Sequence, residues 1–142
     1  MDKMSGQESR ASENLAELRA KVGVEPIASF LRIRLLELSP GYAKVAIKLI
    51  PEHQNFLGLI FGGIIMAVAD QAFAYGGNSL ALPTIASQFN IHFIAGPEVG
   101  DELTAECRVV RSGRRVNICE MTVTNQEGKL IAKATGTGIP VG

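Results

Sequence analysis

The sequence predicts an α+β fold in which an antiparallel sheet of about six strands wraps around one long central helix. Strand-like segments of apolar and polar residues recur along the chain, and Gly, Pro and Ser mark the turns between them. Between two groups of such segments lies an alanine-rich stretch, residues 62–82, whose apolar residues lie on nearly all sides of a helix. Strands and helices do not alternate, so a parallel sheet is not expected.

The individual elements follow from local signals. Residues 1–11 are polar and are expected to form a loose tail, after which Ser12 is a candidate N-cap for a short helix that Gly23 ends. The strands are expected at residues 27–38, 42–50, 85–95, 101–111, 115–125 and 129–139. Six strands around one buried helix form a hot-dog arrangement. The sequence therefore divides into a tail and short helix, residues 1–25, and a single hot-dog domain, residues 26–142.

The composition narrows the class of protein. The chain has 142 residues, of which 46% are hydrophobic, and its 14 basic and 14 acidic residues cancel. This balance argues against a nucleic-acid interface and against binding to an anionic membrane. No apolar run reaches 18 residues, so no membrane span is expected. The N-terminal stretch lacks the apolar core of a secretory signal, and we expect a cytoplasmic protein.

The two cysteines and two histidines argue against a disulfide framework and against a zinc site. Cys107 and Cys119 each lie six residues from Gly113, so they could face each other across a hairpin. Free, buried thiols in a reducing compartment are the expected state. No metal site is predicted.

Asp70 is the single charged residue between Phe56 and Pro97. A carboxylate among apolar side chains is costly unless it is paired, protonated or used in chemistry. Gly62 and Gly63, at the expected start of the central helix, present free N–H groups that can hold an oxyanion. Eight residues of helix separate Gly62 from Asp70 by about 12 Å, so one carbonyl group cannot contact both within one chain. In a dimer with shared sites, Asp70 of one chain and Gly62-Gly63 of the other chain could contact the same carbonyl group. Alternatively, both features have structural roles only.

The spacing of the residues around Asp70 resembles that of the PaaI-type hot-dog thioesterases. The resemblance covers about residues 26–140. It is carried by His53-x-Asn55-x-x-Gly58-x-x-Phe61-Gly62-Gly63, by Ala69-Asp70, by AFAYGGNS at 72–79, and by GDELTAECRVVRSGRR and NQEGKLIAKATGTG. The resemblance implies that Asp70 is the catalytic carboxylate and that Gly63, with Gly62, polarises the thioester carbonyl. It also implies that Asn55 lies beside that carbonyl or the attacking water.

The chain departs from the family at Phe61, where the family usually has His. A backbone donor survives any change of side chain, so the oxyanion site can persist without that imidazole. His53 is a candidate to compensate for the missing ring. Some relatives carry a hydroxyl residue where this chain has Ala86, and strand alternation is expected to point Ser87 to the other face.

The resemblance implies an acyl-CoA thioesterase that releases a small aryl or a short- or medium-chain acid. Asp70 either activates water or attacks the carbonyl to form a mixed anhydride. No metal or redox cofactor is implied, and coenzyme A enters as part of the substrate. Phe61 favours an alternative, a non-catalytic acyl-CoA binder or sensor. A different hot-dog enzyme, such as a hydratase, is a third possibility.

The remaining expectations concern substrate binding and assembly. Candidate walls of the acyl pocket are Phe56, Leu57, Phe73 and Tyr75, although residues at such a spacing more often belong to the core. His53 and Phe61 are further candidates for substrate binding. Arg111, Arg114 and Arg115 flank the Ser112-Gly113 turn, and they either hold the phosphates of coenzyme A or form a solvated hairpin tip. The resemblance implies at least a homodimer with shared sites, and we expect a homotetramer of two back-to-back dimers.

Overall fold

The computed structural model of the protein describes residues 3–141, except for the side chains of residues 3–5, 7 and 8. Three α-helices and a short 3-10 helix span α1 Lys3–Val22, α2 Pro26–Leu31, the 3-10 helix Pro51–His53 and α3 Gly62–Asn78. The strands are β1 Arg34–Ser39, β2 Tyr42–Lys48, β3 Thr84–Phe93, β4 Glu102–Ser112, β5 Asn117–Thr124 and β6 Leu130–Pro140. Among the helices of this described part, none is both long and apolar enough to cross a membrane.

The six strands form one antiparallel sheet in the order β1-β2-β4-β5-β6-β3. Helix α3 packs on the inner face of this sheet, and their buried side chains form one core. The predicted hot-dog fold is thereby confirmed. Strands β1 and β3 are the two edges, and within residues 3–141 no strand pairs with the outer side of β3.

Glycine allows α3 to approach the sheet closely. A Cβ atom at Gly76 would lie 3.1 Å from Cβ of Cys107 on β4, which leaves no space for a side chain. On β6, a Cβ atom at Gly136 would lie 2.7 Å from Cζ of Phe73. The Phe73 ring therefore fills the space above Gly136, and its centroid lies 6.0 Å from that of Phe89.

Helix α3 ends four residues earlier than the predicted 62–82 because polar side chains satisfy its last carbonyl groups. The Nδ2 group of Asn78 donates to the carbonyl oxygens of Ala74 at 2.8 Å and Thr84 at 3.0 Å. From α1, Nδ2 of Asn14 donates to the carbonyl oxygens of Asn78 and Ser79, both at 2.8 Å. These bonds end the helix and anchor α1 to it.

The N-terminal prediction is wrong in two places. Helix α1 begins at Lys3, so residues 3–11 are helical and not a loose tail, while residues 1 and 2 lie outside the described part. Leu18 of α1 is buried in the core. Residues 26–31 form α2 instead of the first strand, because Pro26 at the first helical position is preorganised for a helix. Strand β1 begins only at Arg34.

Cys107 and Cys119 are free and fully buried, as expected. In the register of β4 and β5, Cys107 pairs with Met121 and Cys119 pairs with Val109. The two thiols are therefore diagonal neighbours on the inner face and not a directly opposed pair.

Candidate active site

Asp70 lies in a groove between α3 and the first half of β3. We call this space of about 420 Å³ the Asp70 groove. It is lined by Met66, Asp70, Ala86, Ser87, Gln88 and Phe89. The groove is open because β3 is an edge strand. A carboxylate at the side of an open groove can reach a bound molecule.

The Asp70 carboxylate has no partner among the groups that the structure describes. No hydrogen bond or ion pair reaches it, and desolvation by the surrounding protein is the one cause that shifts its pKa. The side chain is exposed in the isolated chain, yet packing on its protein side raises the pKa of this carboxyl. Desolvation therefore strengthens Asp70 as a base.

A β-bulge brings Ser87 into the same groove. Ala86 pairs with Gly138 and Gln88 pairs with Thr137, so Ser87 has no partner residue on β6. A bulge resets the alternation of side chains along a strand. The expectation that Ser87 faces away is therefore wrong: it lines the Asp70 groove. Its hydroxyl donates to the carbonyl oxygen of Thr137 at 3.2 Å, and its lone pairs can accept a further hydrogen bond.

The start of α3 offers free backbone donors. Helix α3 begins at Gly62, with Phe61 as an N-cap that makes no side-chain hydrogen bond. Ile64 is the first residue of this turn whose N–H has an acceptor, the carbonyl oxygen of Phe61 at 3.0 Å. The N–H groups of Gly62 and Gly63 have no acceptor within the described part of the chain. They can therefore bind a negatively charged oxygen.

An aromatic ring covers one side of this helix start. A Cβ atom at Gly63 would lie 2.8 Å from Cζ of Phe61, so the ring packs directly over the glycine. The Phe61 side chain is 54% exposed, which places it at the surface beside the helix start and not in the core. A side chain at position 63 would displace this ring.

A second groove adjoins the same helix start. We call this space of about 280 Å³ the apolar groove. Its lining contains no charged side chain and consists of Leu59, Ile60, Gly62, Ile65, Phe93, Ile94, Ala95, Gly96 and Pro97. It shares no lining residue with the Asp70 groove. One chain therefore presents the free N–H groups and the carboxylate in two separate grooves.

The loop before α3 is shaped by Asn55. Its Oδ1 accepts hydrogen bonds from the N–H groups of Leu57 at 2.9 Å and Leu59 at 3.2 Å. The carbonyl end of the Asn55 side chain is therefore occupied within its own loop. Its Nδ2 group makes no hydrogen bond among the described residues and is the end that can reach a substrate oxygen.

His53 lies at the other end of this loop and does not line the Asp70 groove. Its Nδ1 accepts a hydrogen bond from the N–H of Ile50 at 3.1 Å, and desolvation lowers its pKa, which favours the neutral ring. The carbonyl oxygen of His53 accepts the N–H of Phe61 at 2.9 Å. The observed contacts of His53 therefore stabilise the loop. None of them places the His53 ring where the family usually has the imidazole of a His at position 61.

Among the candidate acyl-site residues, Phe73 packs inside the domain in the isolated chain. It is 3% exposed and belongs to the core, as does Tyr75, which hydrogen-bonds Gln71 and Glu25. Phe56 and Leu57 lie at the tip of the loop, and Phe56 is 94% exposed. They line neither of the two grooves of the isolated chain.

The hairpin arginines lie apart from the Asp70 groove. Arg111, Arg114 and Arg115 are exposed around the turn between β4 and β5. Strands β4 and β5 are separated from β3 by β6, and none of the three arginines lines the Asp70 groove or the apolar groove. In the isolated chain the three arginines therefore lie at a solvated hairpin tip.

Comparison with known proteins identifies the family. The sequence profile of the thioesterase superfamily matches residues 57–132, which include α3 and most of the sheet. The chain belongs to the thioesterase superfamily. Within this superfamily it is 30% identical to acyl-coenzyme A thioesterase PaaI of Escherichia coli, over 81% of this chain and 82% of that protein. Human acyl-coenzyme A thioesterase 13 is 25% identical over 75% of this chain and 78% of that protein.

Solved structures agree with this assignment to the thioesterase superfamily. The structure of E. coli PaaI superposes with a TM-score of 0.87 at 28% identity, over 92% of this chain and 96% of that chain. A Streptococcus mutans protein solved with acetyl CoA superposes with a TM-score of 0.75 at 27% identity, over 78% of this chain and 89% of that chain. The predicted resemblance to PaaI-type thioesterases is thereby confirmed.

Proposed function

We propose that this protein hydrolyses an acyl-CoA thioester, with a small aryl or a short- or medium-chain acyl group, to the free acid and coenzyme A. The observation that carries the proposal is Asp70, an unpaired carboxylate of raised pKa in an open groove. The family assignment supports the reaction class, and the acetyl CoA complex of the Streptococcus relative supports the coenzyme. The proposed reaction needs no metal or redox cofactor.

In the proposed reaction, Asp70 removes a proton from water as the water oxygen attacks the thioester carbonyl. The carbonyl oxygen becomes an oxyanion that accepts hydrogen bonds from the N–H groups of Gly62 and Gly63. The C–S bond then breaks, and coenzyme A leaves as a thiolate that takes the proton from Asp70. Direct attack by the Asp70 carboxylate, which gives a mixed anhydride that water then opens, remains a second route.

We further propose that each site combines two chains. The free edge of β3 can pair with β3 of a second copy across a two-fold axis. Antiparallel pairing sets the first half of one β3, beside Asp70, against the second half of the other, beside the apolar groove. The Asp70 carboxylate then faces the partner subunit's Gly62 and Gly63. A homotetramer of two such dimers, acting in the cytoplasm, is the assembly that we favour.

Thiol release from a panel of acyl-CoAs tests the proposed activity. We expect turnover whose kcat/KM falls as the pH drops through the raised pKa of Asp70, because the protonated acid cannot act as a base. Acyl-CoA binding without thiol release would instead support the binder or sensor, the alternative favoured by the Phe61 ring over the helix start.

Replacing Ser87 with Ala should lower kcat by about 10- to 30-fold with little change in KM. A hydroxyl beside Asp70 can accept a hydrogen bond from the attacking water, and a bond to a charged or reacting group is worth roughly this factor. Steady-state kinetics at saturating acyl-CoA provide the measurement. Ser87→Thr keeps the hydroxyl and should retain most of the activity. Equal activity of the Ala variant and the native protein would exclude this role.

Replacing Phe61 with His should raise kcat by about 3- to 10-fold, the value of one added hydrogen bond near the oxyanion. The side chain lies at the surface, so the melting temperature should change little. Kinetics and thermal melts of the two forms provide the measurements. A higher KM with an unchanged or lower kcat would instead show that the ring packs against the substrate.

A further inference from the structure

A third groove of different chemistry lies beside the residues that directly precede the loop before α3. This cationic groove has a volume of about 460 Å³. Its lining residues are Phe30, Leu31, Arg32, Arg34, Lys48, Ile50, Glu52 and His53. These residues precede the loop, whereas the apolar groove is lined by the end of the loop, the start of α3 and residues 93–97. The cationic groove therefore collects side chains from α2, the β1–β2 pair and the 3-10 helix at one place.

The charges in this groove are only partly compensated. Arg34 forms an ion pair with Glu102, and Glu52 is the one carboxylate in the lining. Arg32 and Lys48 form no ion pair with any carboxylate whose side chain the structure describes. Two cations that form no such ion pair, in a groove with a single carboxylate, attract an anion. Guanidinium and ammonium groups are the usual phosphate ligands in proteins.

The backbone conformation of Arg32 supports a binding role. Arg32 caps α2 with a φ angle of 59°, and no other non-glycine residue in the range 3–141 has a positive φ. Glycine is the favoured residue at such a left-handed cap, because a side chain is strained there. An arginine held in this conformation at the wall of a groove indicates that the position serves binding more than stability.

An exposed aromatic ring completes the groove. Phe30 lies two residues before Arg32 and is 81% exposed, although it borders the cationic groove. A planar apolar ring beside two cations matches a ligand that combines phosphates with a flat base. The adenosine end of coenzyme A, with its diphosphate and its 3′-phosphate, has this combination.

The cationic groove is also connected to the helix start. His53 lines the groove, and its carbonyl oxygen accepts the N–H of Phe61, the residue before Gly62. An extended arm that begins at the helix start and runs past His53 therefore enters the cationic groove. The pantetheine arm joins the thioester to the diphosphate in this way.

We infer that the cationic groove binds the phosphorylated adenosine end of acyl-CoA, with Arg32 and Lys48 contacting phosphates and Phe30 stacking on adenine. This inference rests on the proposed thioesterase function. It assigns the nucleotide to residues of α2, β1 and β2 in place of Arg111, Arg114 and Arg115. The acyl group then lies on the far side of the loop, toward the apolar groove.

The double variant Arg32→Gly, Lys48→Met tests the assignment. We expect KM for acyl-CoA to rise about 10- to 100-fold with kcat nearly unchanged, because two phosphate contacts are lost. Hydrolysis of the matching N-acetylcysteamine thioester, which has no nucleotide, should not change. Arg32→Gly alone should raise the melting temperature, since glycine relieves the left-handed strain. Weaker binding in a more stable protein cannot arise from damage to the fold.

The matched control is Arg114→Ala, Arg115→Ala, which removes the same charge at the hairpin tip and should leave KM unchanged. An increase of KM in this control, with none in the groove variant, would overturn the assignment. Calorimetry with adenosine 3′,5′-bisphosphate separates the inference from the proposed activity. Binding to the native protein that is lost in the groove variant supports the site even if no thioester is hydrolysed. Equal binding by both proteins refutes it.

Discussion

Replacing Asp70 with Asn is expected to lower kcat for acyl-CoA hydrolysis by about 100-fold or more. The amide has nearly the same size and shape but cannot accept the proton of water or attack a carbonyl, and a positioned acid–base group contributes at least this factor. Thiol release at saturating substrate provides the measurement. The acid limb of the kcat/KM profile should disappear from whatever activity remains.

The same substitution should not harm the fold. The folded-state pKa of Asp70 is raised, so its ionised form destabilises the folded state at neutral pH. Asp70→Asn should therefore melt at a slightly higher temperature near pH 7, and this difference should vanish below the unfolded-state pKa. Glu120→Gln, the same chemical change on the outer face of the sheet, is a control that should keep full activity. Undiminished turnover in Asp70→Asn would show that Asp70 is not the catalytic carboxylate.

Replacing Gly63 with Val is expected to lower kcat by about 100-fold, comparable to the loss of one oxyanion donor. The new side chain meets the Phe61 ring and crowds the free N–H groups at the start of α3. Gly6→Val is the matched control, because no atom lies within 4 Å of a Cβ at Gly6. Steady-state turnover of both variants, with thermal melts to confirm folding, provides the comparison.

Mixing the two inactive variants then tests whether sites are shared. A dimer of one Asp70→Asn chain and one Gly63→Val chain contains one doubly damaged site and one intact site. After complete subunit exchange, half of the dimers are mixed, and about a quarter of the native activity should return. A site built within one chain would regain none. Absence of recovery, with exchange shown by mass spectrometry, would therefore refute the shared site.

Regular hydrophobic patterns made most of the fold predictable. The central helix and the five strands after Pro40 were found because their apolar residues recur with a clear period or form one long run. Helix α1 was missed over residues 3–11 because that stretch is polar all round and has no apolar stripe. Residues 26–31 carry a strand-like pattern of residues, but Pro26 at the first helical position starts α2 there instead.

The candidate site was predictable where it lies on one helix. Asp70 and the glycines at the start of α3 stand where their spacing suggested. Ser87 was misplaced because a bulge depends on the register with β6, which no local pattern encodes. The cationic groove was missed because distant segments bring Arg32 and Lys48 together. Phe73 packs in the core, where aromatic residues have the same sequence pattern as those of a binding site.

The long free edge of β3 also has a consequence for how the protein is made. The outer edge of this ten-residue strand has no partner strand within residues 3–141, and with the exposed side chains of Ile85 and Phe93 it forms a template to which an extended chain can attach. If the proposed dimer forms through this edge, newly synthesised subunits must pair with each other before they meet unfolded neighbours. Substitutions that weaken the proposed β3–β3 association should therefore give inclusion bodies and not a soluble monomer. Slower expression at low temperature should recover such variants better than it recovers variants of the core.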